Sequence, residues 1–215
     1  MAEAGRTEEM RTLGPREIEA RSMEIIAREL TVPLAEPERP VVMRVIHATA
    51  DFSFAENLRF TPGVISRARV LLAAGATVVT DTNMALSGIS RPALAKLGAR
   101  AVCFMADGSV ASEAAARGTT RASVSAARAA ALPGPKLLVC GNAPTFLFSL
   151  LEHREQLGDA VIIGVPVGFV NVVEAKEALL SSGLPSIVAA GRRGGSGVAA
   201  AIVNALLYGI EGVRA

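Results

Sequence analysis

Five short runs of aliphatic and β-branched residues recur along the chain from residue 76 onward, and helical segments separate most of them. The runs are Ala76–Thr80, Ala99–Met105, Lys136–Cys140, Ala160–Gly164 and Ser186–Ala190. Short apolar runs bounded by turn residues read as buried strands. The intervening segments Val110–Ala131 (broken at Gly118), Pro144–Gln156, Asn171–Ser182 and Gly197–Tyr208 read as helices. Strand–helix–strand alternation forces crossover connections and therefore parallel pairing. The expected fold class is α/β: a central, mostly parallel five-stranded sheet flanked by helices. Three further helices are expected earlier, over Pro15–Leu30, Pro40–Asp51 and from Thr61-Pro62 to Gly75. They make an N-terminal helical extension, so that 1–75 is mainly helical, 76–215 is α/β, and 1–215 is a single domain.

Composition supports this reading. Apolar residues make up 51% and aromatics only 4%, with no Trp and one Tyr. The apolar content is therefore aliphatic, which suits helices packed on buried parallel strands. It excludes an aromatic stacking platform for single-stranded nucleic acid. A net charge of +2 with no basic run argues against nucleic acid as a partner. The longest apolar stretch, Ala160–Val173, is too short for a membrane span and contains Pro166. Cys103 and Cys140 lie in apolar runs without a C-x-x-C motif and read as reduced core residues. The charged stretch Glu3–Arg16 does not resemble a signal peptide, so a cytoplasmic protein is expected.

In an open α/β sheet, ligands bind beyond the carboxyl ends of the strands. The loops there read Asp81-Thr-Asn-Met, Ala106-Asp-Gly, Gly141-Asn-Ala-Pro144, Val165-Pro-Val-Gly-Phe169 and Gly191-Arg-Arg-Gly-Gly-Ser-Gly197. The last can present backbone N–H groups to an anion, or it can be a tight turn that lets strand and helix approach. It lacks both the dinucleotide and the Walker spacing, and Glu211 is the sole carboxylate after it, so a nucleotide reading is poor. Asn142 before Pro144 suits a helix cap. Arg121 opens a helix after Thr120, against the macrodipole preference, which points to an anionic partner or to an ordinary surface Arg. His153 sits among charged residues on a solvated face. His47 shares a helical stripe with Arg44 and Asp51, and Asp51 is placed to pair with it. That makes His47 a candidate general acid, or a half-exposed His with a local partner. No cluster has metal-ligand spacing, and neither a metal nor a cofactor is expected.

Taken in order, Arg44-Val-Ile-His47, Thr80-Asp-Thr-Asn-Met-Ala-Leu-Ser-Gly88, Thr120-Arg121, Gly141-Asn-Ala-Pro144, Gly164-Val-Pro-Val-Gly-Phe-Val170, Glu174-Ala-Lys176 and Gly191-Arg-Arg-Gly-Gly-Ser196 resemble the motifs of the precorrin-8X methylmutase family. That family includes the cobalt-precorrin-8 methylmutases, and the likeness runs from about Ser22 to Leu207. It implies an isomerase of corrin synthesis that moves a methyl group from C11 to C12 of the tetrapyrrole, giving hydrogenobyrinic acid, or cobyrinic acid when cobalt is present. It implies a homodimer with the site near the subunit interface, a tetrapyrrole substrate and no cofactor. The family's catalytic histidine falls on His47. The substrate-binding positions it implies are Ser22, Asp81, Thr82, Asn83, Thr120, Arg121, Asn142, Lys176, Gly194 and Ser196. Ala175 stands where the family often has Ser, and Asn83 where some members have Glu. Thr80-Asp-Thr-Asn-Met84 looks more like the cobalt-dependent branch. A shift within one molecule needs a held shape and a placed proton rather than a nucleophile. The alternative from another class is a non-catalytic corrinoid carrier of the same fold, which would not need His47.

Overall fold

A computed structural model describes residues 14–213. Of the charged N-terminal stretch, only the part from Gly14 lies among them. In chain order the elements are α1 (Pro15–Glu29), α2 (Arg39–Thr49), α3 (Phe54–Asn57), β1 (Leu58–Phe60), α4 (Val64–Ala73), β2 (Thr77–Thr80), α5 (Asn83–Gly88), α6 (Arg91–Lys96), β3 (Arg100–Val102), α7 (Gly108–Ala116), α8 (Arg121–Ala130), β4 (Lys136–Cys140), α9 (Pro144–Glu152), β5 (Ala160–Gly164), α10 (Val172–Ser181), β6 (Ser186–Ala189) and α11 (Ser196–Tyr208).

All five anticipated runs form strands, and they pair in parallel. The sheet nevertheless has six strands rather than five, in the order β1-β6-β5-β4-β2-β3. The added strand, β1, pairs antiparallel with β6, Leu58 opposite Ala189 and Phe60 opposite Ile187. Three residues carry too little periodicity to announce a strand, and only the exposed edge of β6 gives them a partner. Helices α3, α5 and α6 were not anticipated either; they are four to six residues long. The expected break at Gly118 is present: Gly118 has φ +60 and separates α7 from α8.

The strands carry apolar side chains on both faces, as buried parallel strands must. Leu137 and Val139 of β4 face a core built with α1, α2, α4 and α11. Leu138 and Cys140 face the opposite core, with Ala126, Phe146, Leu147 and Leu179 from α8, α9 and α10. Alanine-rich α11 packs on α2 and α5. Gly88 of α5 approaches so closely that a Cβ there would lie 2.7 Å from the Cβ of Ala200.

The chain leaves β2 for β3 on one side and then crosses back to β4 on the other. The direction of winding therefore reverses between β2 and β4. Such a reversal is the place at the carboxyl edge where open α/β sheets form a binding crevice.

Candidate active site

Asp81 follows β2 at this crevice and is completely buried. Its Oδ1 accepts from the Gly141 amide at 2.8 Å. Its Oδ2 accepts from the amides of Asn142 and Ala143 at 2.7 and 2.8 Å. These N–H groups belong to the turn that leads into α9, and successive turn amides aimed at one point form an anion-binding nest. The protein thus fills its own anion nest with a side chain. Asp81, expected to bind substrate, is buried with three backbone amides of that turn as its partners. Cys140 lies against it, Sγ to Oδ2 3.5 Å. Burial, and then the Asp81 charge, push the Cys140 thiol well up from its ordinary range.

Asn142 is not the expected cap, because Ala143 occupies that position and makes no side-chain cap bond. Asp81 instead holds the amides of the turn before α9, and the Asn142 side chain is exposed. Thr82 caps α5, accepting from the Ala85 amide at 3.1 Å, and its Oγ1 lies 2.8 Å from Ser196 Oγ. Ser196 is almost buried and begins α11, so this hydroxyl pair ties the loop after β2 to the loop after β6. Asn83 is exposed beside it.

Thr120 caps α8 through the Ser123 amide at 3.1 Å and approaches Thr145 Oγ1 at 3.5 Å. This brings the start of α8 beside the start of α9. Arg121 is exposed there, with its guanidinium 3.5 Å from the Met105 carbonyl. Lys176, also expected to bind substrate, is buried; its Nζ donates to the Gly191 and Arg193 carbonyls at 2.8 and 2.7 Å. Burial lowers its pKa to about 8. Gly194 has φ +156, and a Cβ there would lie 2.1 Å from the Val165 carbonyl oxygen. Only glycine permits that approach.

His47 is exposed in the last turn of α2. The stripe read from the sequence does not survive. Ala50 adopts φ +53 and ends the helix, so Asp51 leaves the His47 face. Asp51 accepts from Arg193 at 2.6 Å and from the Ser53 amide at 3.0 Å. The Ser53 hydroxyl, and after it Arg193, hold its carboxyl below the usual range. The same Arg193 bond ties the residues that follow α2 to the loop after β6, and His47 lies in the last turn of that helix. Ser22 is not brought to that turn. The Glu19–Arg44 pair at 2.6 Å, and the cavity that Met23 lines with Arg39 and Met43, set α1 antiparallel to α2. Ser22 therefore lies nearer the start of α2, and its hydroxyl donates to the Ile18 carbonyl at 2.8 Å.

One feature of the edge was missed by sequence reasoning. Met84, Phe169 and Val170 are 75, 81 and 77% exposed, the first in α5 just after β2 and the others on the loop after β5. Arg192 stacks over the Phe169 ring at 5.4 Å. The Gly164–Val170 motif carried the signal, since an apolar run continues past the end of a strand into a loop. Exposed apolar side chains thus rim the strand ends, with the Arg192 guanidinium over one of them.

Among the described residues, no group of three His, Cys, Asp or Glu side chains is placed to hold a metal ion. Nor is any helix among them long and apolar enough to cross a membrane.

The precorrin-8X methylmutase family model matches residues 17–209. The cobalt-precorrin-8 methylmutase of Salmonella typhimurium is 45% identical over 202 residues, covering 90% of this chain and 95% of that protein. The precorrin-8X methylmutase of Pseudomonas aeruginosa is 40% identical over 170 residues, covering 77% and 81%. The solved precorrin-8X methylmutase of Thermus thermophilus superposes with a TM-score of 0.82 at 37% identity, covering 89% of this chain and 96% of that one. Fold, motif order and matched length agree, and the chain belongs to the precorrin-8X methylmutase family of methyl-shifting isomerases in corrin synthesis.

Proposed function

We propose that this isomerase moves the methyl group from C11 to C12 of precorrin-8X or of its cobalt form, with His47 as the general acid. The observation that carries the reading is the meeting of α2 with the strand-end loops. The Arg193–Asp51 bond ties the residues that follow the His47 turn to the loop after β6, at the edge where Met84, Phe169 and Val170 form the apolar rim. A tetrapyrrole has a wide apolar face and carboxylates around its border. The rim suits the face, and Arg121 and Arg192 suit the border, because guanidinium forks bind carboxylates by charge-assisted bonds.

The C11–C methyl bond breaks as the C12–C methyl bond forms, so atoms and electrons balance within the substrate. The protein's task is to hold the ring in a reactive shape. His47 lends a proton to the macrocycle and recovers it afterwards, which biases the electron distribution toward migration. Asn83, Thr120 and Asn142 are exposed around this edge and supply further polar contacts, with Thr82, Gly194 and Ser196 shaping the loops between them. Relatives named for the cobalt substrate and for the cobalt-free one both match this chain at 35% identity or more. Either form is therefore a substrate to test. We further propose a single cytoplasmic domain that pairs as a homodimer. Exposed Ile18 and Ile25 on α1 support the pairing, since they need cover.

His47→Ala tests the assignment. Turnover of both substrates should fall by about 10²–10⁴, while absorbance titration with the corrin product shows binding retained. Full turnover by the variant would refute the role of His47, whereas a wild type that binds product but turns over neither substrate would favour a carrier that binds without reacting.

A further inference from the structure

Lys176 on α10 is 1% exposed, yet among the described residues no carboxylate pairs with its ammonium group. A buried ammonium without a counter-ion is costly, so its retention needs a reason. Its Nζ partners are two carbonyls of one loop, those of Gly191 and Arg193. The titratable group facing it is the Cys140 thiol, behind which lies Asp81.

The loop it holds has little shape of its own. Gly191, Gly194 and Gly195 have φ of +73, +156 and +126, values that ordinary side chains seldom adopt. Besides Lys176, the Gly195 amide donates to the Val165 carbonyl at 2.8 Å, and the Arg192 carbonyl accepts from the Gly168 amide at 3.2 Å. From this loop the Arg193 side chain reaches out to Asp51 Oδ2 at 2.6 Å and to the Ser53 hydroxyl. Asp51 directly follows, and Ser53 lies three residues after, the αL residue Ala50 that ends α2, and His47 lies in the last turn of that helix. An unbroken series of polar contacts therefore runs from the buried lysine to the helix end that carries the proposed acid.

We infer that Lys176 is a positioning residue: it fixes the 191–195 loop, and through the Arg193 clamp on Asp51 and Ser53 it sets the last turn of α2, and so His47, against the substrate-facing loops. Lys176 touches no reacting atom. The inference rests on the proposed role of His47, and it extends that role to residues whose own chemistry is not used.

The test compares the full-length wild type with Lys176→Met, Arg193→Ala and Arg193→Lys. Lys176→Met keeps the stem and removes the donors. Three readouts are taken: trypsin cleavage after the exposed Arg192, the NMR resonances of the His47 ring, and kcat separately from KM. Folded Lys176→Met should be cleaved at Arg192 about tenfold faster, as a loop released from its tether opens more often. Its His47 resonances should shift, and kcat should fall about ten- to a hundredfold with a much smaller change in KM, as expected for a misplaced catalytic group. Arg193→Ala should shift the His47 resonances and lower kcat in the same way, and Arg193→Lys should restore part of both.

Wild-type cleavage and wild-type His47 resonances in folded Lys176→Met would overturn the inference. If that variant does not fold, wild-type His47 resonances and kcat in Arg193→Ala would overturn it instead. Should the wild type turn over neither substrate, the methyl-shift reading falls, while the cleavage and resonance measurements still decide the positioning role.

Discussion

Replacing Asp81 by Asn changes one atom and tests whether a buried carboxylate holds the switch-point loop together. In the native protein three N–H groups meet that carboxylate at 2.7–2.8 Å. A hydrogen bond to a charged group contributes about 1.5–3 kcal/mol and a neutral one about 0.5–1.5 kcal/mol. The Asn oxygen can keep two bonds, to Asn142 and Ala143, each weakened by about 1 kcal/mol. The Gly141 amide then faces an NH2 group and is left as a buried orphan donor, costing about 1–3 kcal/mol. The gross loss is about 3–5 kcal/mol, and part is offset because a buried charge is removed. The net destabilisation should be about 2–4 kcal/mol, which for a domain of this size lowers the melting temperature by about 4–16 °C. Differential scanning calorimetry of wild type and Asp81→Asn at neutral pH measures it. Because the freed Gly141 amide and the two weakened bonds belong to one turn at the proposed site, turnover should fall as well. A variant that melts within about 1 °C of the wild type would show that the three bonds do not hold the loop, and the reasoning would fail.

Three other outcomes are expected. Gly194→Ala must push a Cβ into the Val165 carbonyl and should cost about 3 kcal/mol or displace the loop, whereas Gly197→Ala, with open space and helical backbone, should be neutral or slightly stabilising; equal urea midpoints for the two would contradict this. Arg121→Ala should weaken product binding by about tenfold or more if its exposed guanidinium grips a substrate carboxylate, and an unchanged Kd in an absorbance titration would make it an ordinary surface residue. Lys176 titrates near 8 when folded against an ordinary 10.5, so between these values the unfolded chain binds the extra proton. Its contribution to stability is then fullest above 10.5 and is lost as pH falls through 8. The stability difference between wild type and Lys176→Met, from urea unfolding at about pH 7 and about pH 10, should move in favour of the wild type at the higher pH; a difference that stays constant would refute the shift.

The sequence by itself determined the layered α/β architecture, because five aliphatic runs separated by crossover-length segments leave parallel pairing as the way to bury both strand faces. It also determined which loops gather at the functional edge, since every parallel strand delivers its following loop to the same side. Thr120 is legible as a cap because capping is a local property, and it accepts from the Ser123 amide as such a residue should. What sequence could not decide is which polar residues face substrate and which face the protein. Asp81 and Lys176 sit in motifs that suggest contact with a ligand, yet each is buried with backbone groups as its partners. Asp51 stands four residues from His47, as a helical partner would, but an αL turn at Ala50 hands it to Arg193, 142 residues away in sequence. Strand β1 exists because β6 offers it an edge. Such choices depend on which amides and carbonyls are left unpaired after the sheet and helices have formed, and only the tertiary structure brings the distant side chains that satisfy them.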